Sequence, residues 1–438
     1  MASGSVTEME TTVTEQQPIQ AEEEILRLVR LCLRGRWEPQ ALEAARRLAT
    51  QTELDGEALL QVAETERLGA LLYQVVRGQN LLPPAVEEAL HAARLTTALR
   101  DRFLREELAT ILERLAAQGV EVLLLKGAAL AQTVYGGAGL RPMGDLDLLV
   151  HADAVQPALG TLAELGYRRV GREVRPGADL VYESHVRLDK TGLVYLAVEV
   201  HWSLFDSPYY QQTLPMAWFW DTALAIQMAG PHLSTDRSGA DCTDGMGPGR
   251  DMGHAACEEI GNTPAWVLGP EAQILHLCGH LVVQHGDEEP RLLWLHDVAE
   301  VLVHYRDQLD WQELLKRAQD CALVLPLQRV LGQVAAEWGA PVPAGALAQL
   351  NALRPAQAEM QVVAWRTAAE RPVAQRFWSD VASMSGWRQR LHYAWIQLFP
   401  SAAYMQERYG IRHRLLVPLY YPYRWWVGLR SVVAQRKS

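Results

Sequence analysis

Hydrophobic residues recur with a helical period over the first quarter of the chain. Leucines and one isoleucine between Leu104 and Leu115 follow at intervals of three and four residues, which places them on one face of a helix. Pro83 and Pro84 are typical of a helix start, and Gly119 is typical of the residue that ends one. The pattern therefore predicts helices up to about Gly119.

The pattern changes after this point to short strands and helices. The segment 120–126 (VEVLLLK) predicts a buried strand, and 145–150 (DLDLLV) predicts a second one. Two further runs, 180–188 and 193–202, are separated by Asp-Lys-Thr-Gly, which indicates a hairpin. A small sheet with helices, in the order β-α-β-α-β-β, is expected here.

The rest of the chain is glycine-rich and then helical. Gly, Asp and Ser dominate the stretch before residue 266 without any hydrophobic period, and helical periodicity then continues to the end. The prediction is an α+β protein in which N- and C-terminal helical regions flank a small mixed sheet. Five segments are expected: a disordered tail (1–22), an N-terminal helical region (23–118), a sheet-containing core (119–228), a flexible Gly-rich insertion (229–265) and a C-terminal helical domain (266–438).

Composition and charge narrow the possible classes of protein. The 438 residues include 41 Lys and Arg and 52 Asp and Glu, a net charge of −11, which argues against a protein that coats nucleic acid. The 5 cysteines are few and scattered, so neither a disulfide framework nor a zinc ribbon is indicated. The sequence has no targeting signal and no run of about 18 apolar residues, so a cytoplasmic protein without a transmembrane segment is expected.

Three acidic residues stand where strands would bring them together. Asp145 and Asp147 are two apart on a predicted strand, so both carboxylates project from one face. Glu199 would face the same site if its strand is a neighbour, and oxygen ligands of this kind suit Mg²⁺. The alternative is that the Asp-x-Asp pair lies at a solvated strand edge.

Lys126 and Gly127 stand at the junction of the first strand and its helix. A glycine there lets backbone N–H groups approach a phosphate at the helix N-terminus, and Lys126 adds a positive charge. A simple strand-to-helix turn is the alternative. His201 shares the predicted face of Glu199, where it would either orient the acid or pack as a hydrogen-bonded core histidine.

These motifs resemble a large bacterial family of nucleotidyltransferase-like proteins within the DNA polymerase beta-type superfamily. The matching elements are Leu-Lys-Gly at a strand end, an Arg before Asp-x-Asp, and a later strand reading acid-x-His-Trp. In this chain they are Leu125–Gly127, Arg141, Asp145–Asp147 and Glu199–Trp202. The superfamily usually has Gly-Gly or Gly-Ser in the phosphate loop, whereas this chain has Gly127 followed by Ala128.

The resemblance implies Mg²⁺-dependent transfer of a nucleoside monophosphate from an NTP to a hydroxyl, with release of pyrophosphate. Asp145, Asp147 and Glu199 would then be the catalytic metal ligands, with His201 behind them. The nucleotide would be bound by Lys126, Gly127, Ala128 and Arg141. The acceptor is open: a small molecule, a protein hydroxyl or an RNA end.

Two other functions remain open. A non-catalytic binding or scaffolding protein would keep the same fold, although all of the implied acids and Lys126 are present. A His-Asp metal phosphohydrolase is a lesser alternative, and it would place its metal in the C-terminal helices. Its candidate ligands are His276, His280, His296, Asp297 and Asp310.

The C-terminal run LVPLYYPYRWWVGLR mixes aromatic residues with arginines. Such a mixture suits a membrane surface or an RNA contact. Because Pro418 and Pro422 are expected to interrupt a long amphipathic helix, the prediction favours a buried aromatic segment.

Overall fold

The fold was analysed in a computed structural model of the chain. It describes residues 22–51, 55–136, 139–192, 194–228, 263–286, 292–366, 373–384 and 386–435. The predicted tail and nearly all of the predicted insertion lie outside these ranges.

Among the described residues, five helices precede the sheet. They are α1 (22–34), α2 (Pro39–Gln51), α3 (Gly56–Thr65), α4 (Gly69–Val76) and α5 (Pro84–Ala117). Helix α5 begins at Pro84, and Gly119 adopts a φ of +71° just after its end, as the sequence predicts. The leucines that define the predicted face of α5 are buried.

The sheet region alternates strands with short helices. In chain order it contains β1 (Leu123–Leu124), α6 (Lys126–Gln132), β2 (Leu146–Leu149), α7 (Val155–Glu164), β3 (Arg168–Arg169), α8 (Asp179–Tyr182), β4 (His185–Lys190), β5 (Leu196–His201), α9 (Pro208–Thr213), α10 (Met216–Asp221), β6 (Leu224–Met228) and β7 (Thr263–Val267). The first strand is shorter than predicted, because Lys126 already opens α6. The predicted hairpin is confirmed as β4 and β5.

In the described part of the chain, these strands form one seven-stranded mixed sheet in the order β3-β4-β5-β2-β1-β7-β6. Strand β2 pairs in parallel with β5, and β1 pairs in parallel with β7, while the other neighbours are antiparallel. Residues 263–265 therefore belong to a sheet strand, although the sequence pattern assigned them to the end of a loop.

The remaining described helices follow the sheet. They are α11 (Pro270–Gly279), which continues as a π-helical turn (His280–Gln284), α12 (Leu292–His304), α13 (Trp311–Asp320), α14 (Val324–Trp338), α15 (Ala344–Ala352), α16 (Gln357–Arg366), α17 (Val373–Ser383), α18 (Trp387–Leu398), α19 (Ala402–Tyr409) and α20 (Val417–Gln435). The predicted α+β class is confirmed. None of the described helices is long and apolar enough to span a bilayer.

The two faces of the sheet are buried against different helices. Leu146, Leu148, Val198 and Val200 pack in a hydrophobic cluster with residues of α5 and α7. Leu149, on the opposite face, belongs to a larger cluster that includes the N-terminal helices and α11, α12 and α14. Period-two alternation therefore turns the polar positions of β2 and β5 toward the C-terminal helices.

Candidate active site

The parallel pairing of β2 with β5 brings the predicted acids together. Asp147 lies opposite Glu199 in the register, and Leu149 lies opposite His201. Asp147 and His201 are buried, whereas Glu199 is partly exposed. The expectation that these strands are neighbours is confirmed.

Lys126 lies between the two acids. Its Nζ donates a hydrogen bond to Asp147 Oδ1 at 2.7 Å and lies 3.9 Å from Glu199 Oε2. The backbone of Lys126 has a φ of +45°, a left-handed conformation that is uncommon for a residue with a side chain. Strained conformations of this kind tend to persist at functional positions, where the surrounding fold enforces them.

His201 joins the acids from the end of β5. Its Nε2 lies 3.0 Å from Asp147 Oδ1 and 3.4 Å from Glu199 Oε2. The ring stacks on His185 of the neighbouring strand, with 4.9 Å between the ring centroids. His201 is buried and contacts both carboxylates directly, which fits both of the roles that the sequence leaves open, orientation of the acid and a hydrogen-bonded core histidine.

Electrostatics couple these side chains. Burial alone would raise the pKa of Asp147, but the Lys126 ammonium and His201 hold that pKa well below its ordinary value. Burial lowers the pKa of Lys126, yet the carboxylates of Asp147 and Glu199 outweigh it and raise that pKa overall. Asp147 is thus kept ionised and Lys126 protonated.

Asp145 lies just before β2 and is partly exposed. Burial and the nearby carboxylates of Asp147 and Glu199 raise the pKa of Asp145. This repulsion is what a cation at the site would relieve.

A divalent cation fits the donor set. Among the described residues, one group of at least three ligating side chains has its ligand atoms within 4.8 Å of one another, and it consists of Asp147, Glu199 and His201. Two carboxylates and an imidazole suit Mn²⁺ as well as Mg²⁺. Asp145 lies outside this group, so the compact set contains His201 where the sequence predicted Asp145.

Arg141 is held in place by the C-terminal region. Its Nη2 and Nε donate to the Asp297 carboxylate at 2.7 and 3.0 Å, and Tyr135 Oη donates to the same carboxylate at 2.8 Å. The guanidinium also lies against Gly127: a Cβ added to this glycine would lie 2.4 Å from Arg141 Nη1, which donates to Pro142 O at 3.4 Å. A residue larger than glycine would displace this arginine.

The predicted nucleotide-binding residues thus divide into two groups. Lys126, Gly127 and Arg141 line a cavity of about 1230 Å³, together with Asp145, Asp147 and Glu199. Ala128 is fully buried in the cluster with α5 and α7.

The cavity also has basic walls that the sequence analysis missed. Arg67 comes from the turn between α3 and α4, Arg100 from α5, Arg187 from β4 and Arg366 from α16. Arg187 lies opposite Glu199 in the hairpin register, with Nη1 3.7 Å from Glu199 Oε1. The sequence predicted the hairpin but not this register, and the other three arginines stand in no motif.

The residues of the phosphohydrolase alternative do not assemble. Asp297 is occupied by Arg141 and Tyr135, and Asp310 caps α13 by accepting from the backbone of Gln312 and Glu313. Burial lowers the pKa of His276 to about 3. The metal-ligating group found among the described residues includes none of the alternative's candidates.

The mixed sheet, its flanking helices and the acid cluster define an α+β protein with a cavity suited to a cation and to phosphate. Sequence comparison makes the class specific, because the profile of a family described as "Uncharacterised nucleotidyltransferase" matches residues 52–339. The chain belongs to this nucleotidyltransferase family. The match includes every residue of the acid cluster and both partners of the Arg141–Asp297 pair.

Other comparisons add little. A solved structure of an antigenic nucleotidyltransferase-like protein from Paracoccidioides brasiliensis is similar over 56% of this chain and 95% of its own, with 12% identity and a TM-score of 0.34. No curated protein matches the chain.

Proposed function

We propose that this protein transfers a nucleoside monophosphate from an NTP to a hydroxyl acceptor, with a divalent cation, Mg²⁺ in the first instance. The observation that carries the proposal is the placement of Lys126 against Asp147 and Glu199 at the wall of the cavity. Family membership supports the reaction class. The cytoplasmic location, NTP preference and acceptor class expected from the sequence remain part of the proposal.

Each side chain has a role in this scheme. Asp147 and Glu199, with Asp145 or His201, hold the cation, which when bound neutralises charge on the phosphates. Lys126 leaves the acids and contacts phosphate oxygens, and the Arg141 guanidinium lies beside Gly127 of the same turn. Because Asp297 fixes the Arg141 guanidinium, its charge is oriented before the substrate arrives.

The transfer step balances as an in-line displacement at phosphorus. The acceptor oxygen forms a bond to the α-phosphorus, and the bond from this phosphorus to the α,β-bridging oxygen breaks. Glu199 accepts the proton of the acceptor hydroxyl, and the bridging oxygen departs with the β- and γ-phosphates as pyrophosphate.

The test is incubation with each α-labelled NTP, Mg²⁺ or Mn²⁺, and cell extract. The wild type should label an acceptor, whereas Asp147→Asn should lose at least about 100-fold in rate, because it removes a charged ligand. Asp153→Asn, the same change at an exposed acid near α7, is the matched control. Equal labelling by wild type and Asp147→Asn would exclude this assignment.

A non-catalytic role is the second candidate, and the Lys126–Asp147 ion pair is what favours it. A protein that never binds a cation could keep this pair permanently. Titration with Mn²⁺, followed by electron paramagnetic resonance, separates the two functions. Binding that Asp147→Asn abolishes supports the enzyme, and absence of binding supports the non-catalytic protein.

A further inference from the structure

Helices α18 and α20 and the turn 414–416 expose large apolar side chains, and α20 carries most of the segment 416–430 that the sequence predicts to be buried. Leu415 is 91% exposed, Leu419 71% and Trp387 67%. Pro422 does not interrupt α20, which runs through it from Val417 to Gln435. The expectation of a buried aromatic segment is therefore wrong.

The exposed side chains of α20 form a stripe. Val417 is buried and Trp425 is tied inward, with Nε1 donating to Leu398 O at 2.9 Å. The outward positions recur at helical spacing, so one face of the helix is apolar and open to solvent. They are Leu416, Leu419, Tyr423, Trp426 and Val427.

Helix α18 repeats this arrangement. Tyr393 and Ile396 are buried, and the exposed stripe consists of Trp387, Leu391, Trp395 and Leu398. The two helices are in contact, since Arg424 Nη2 donates to Gln397 O at 3.3 Å as well as Trp425 to Leu398. Exposed apolar side chains therefore lie on two contacting helices, α18 and α20, and on the turn 414–416 that precedes α20.

This surface is strongly basic. Residues 386–435 contain seven arginines and one carboxylate, a net charge of +6, which leaves −17 for the rest of a chain of net charge −11. The single carboxylate, Glu407, pairs with Arg172. Six of the arginines are exposed: Arg388, Arg390, Arg408, Arg412, Arg414 and Arg430.

We infer that α18, α20 and the turn 414–416 bind the surface of an anionic phospholipid membrane. Leucine and tryptophan enter the boundary between headgroups and acyl chains, and arginines pair with anionic headgroups. RNA fits less well, because exposed aliphatic side chains such as Leu415 and Leu419 offer no stacking for bases. A second copy would bring two surfaces of the same charge together.

The test is co-sedimentation of the full chain with vesicles. We expect binding to vesicles of equal parts phosphatidylcholine and phosphatidylglycerol, weaker binding in high salt, and little binding to phosphatidylcholine alone. The double variant Leu415→Gln/Leu419→Gln should lose about tenfold or more in affinity. Arg412→Gln/Arg414→Gln should bind less tightly and with a shallower salt dependence.

Two controls make the outcome specific. Leu95→Gln/Leu99→Gln removes exposed leucines of α5, far along the chain from this surface, and should bind vesicles as the wild type does. Asp147→Asn should also bind normally, because membrane contact does not depend on transfer chemistry. A cooperative thermal unfolding transition in every variant would show that all of them fold.

Three results would overturn the proposal. One is no preference for anionic vesicles, and another is equal loss of binding in the α5 variant and the Leu415/Leu419 variant. The third is capture of the surface by a different partner. That partner would be a second copy if sedimentation shows a dimer that Leu415→Gln/Leu419→Gln dissociates, or RNA if labelled RNA is bound and competes with vesicles.

Discussion

Lys126 contributes both an unusual backbone conformation and a charged side chain to the site. Its φ of +45° and its ion pair with Asp147 require the strand end, the helix start and β2 to be in place together. The pair also puts a positive charge where the proposed cation would sit. Lysine and cation therefore compete for the same carboxylate.

The Lys126→Met variant tests this competition. Methionine keeps most of the apolar stem but leaves Asp147 without its ammonium partner, and the Lys126 side chain is only 16% exposed. We expect the metal-free protein to lose about 3 kcal/mol of unfolding free energy. Mn²⁺ should bind more tightly, while the transfer rate falls because the phosphate contact is lost. Urea unfolding and Mn²⁺ titration measure the two effects.

Lys190→Met provides the matched comparison. Lys190 also pairs with an acid, Glu107, at 2.6 Å, but it lies in β4 away from the acid cluster and is more exposed. It should change stability less and leave Mn²⁺ affinity unaltered. Weaker Mn²⁺ binding in Lys126→Met than in the wild type would contradict the competition.

At the scale of elements, α12 is linked to the sheet region by a buried ion pair. Asp297 accepts two parallel hydrogen bonds from Arg141 and a third from Tyr135. Both charged side chains are almost completely buried, at 7% and 1% exposure. Loss of one partner therefore leaves an uncompensated charge in the interior.

Asp297→Asn should lower the unfolding free energy by about 3–5 kcal/mol, because Arg141 stays charged and buried. Urea denaturation provides the measurement. Asp307→Asn, at an exposed ion pair on the turn after the same helix, should change it little. If the two variants are equally stable, the pair does not hold α12 to the sheet.

Local pattern predicted the faces of β2 and β5 but not that the two strands are neighbours. Period-two alternation placed Asp145 and Asp147 on one face of β2, and Glu199 and His201 on one face of β5, and the hairpin signal placed β5 beside β4. The parallel pairing of β2 with β5 was a condition of the shared site, and the structure meets it. The partner of Arg141 could not be predicted, since Asp297 stands 156 positions away and no periodicity relates them.

The prediction for the C-terminal segment was wrong for a different physical reason. An aromatic composition favours burial, but it gives only the apolar area of a segment and not the side of the molecule on which that area lies. The penalty of Pro422 was also overestimated, because loss of one backbone hydrogen bond near the start of α20 did not end the helix.

For the whole molecule, the decisive feature is that the cavity has walls from three parts of the chain. Arg100 comes from α5, Lys126 from α6 and Trp294 from α12. A ligand that fills the cavity therefore contacts helices that precede the sheet region in the sequence, lie within it and follow it. Because the ligand binds only the folded chain, its binding free energy stabilises all of these helices together.

Hydrogen exchange can detect this stabilisation. With a bound NTP and Mg²⁺, backbone amides of α5, α6 and α12 should all exchange more slowly than in the free protein. Asp147→Asn mixed with the same ligands is the reference, since it should lose the effect. Protection confined to residues 119–228 would mean that the ligand touches the sheet region alone.

The Arg141–Asp297 pair also constrains when the sheet region can fold during translation. Arg141 is synthesised 156 residues before its partner. Strand β1 is also synthesised long before β7, with which it pairs through Leu123 and Trp266. Until α12 has left the ribosome, burial of Arg141 would leave its positive charge without a partner in the interior. The nascent sheet region therefore stays incompletely packed around Arg141 until then. The active cavity is thus completed late in translation, and a chain that stops before α12 would emerge as a substrate for chaperones.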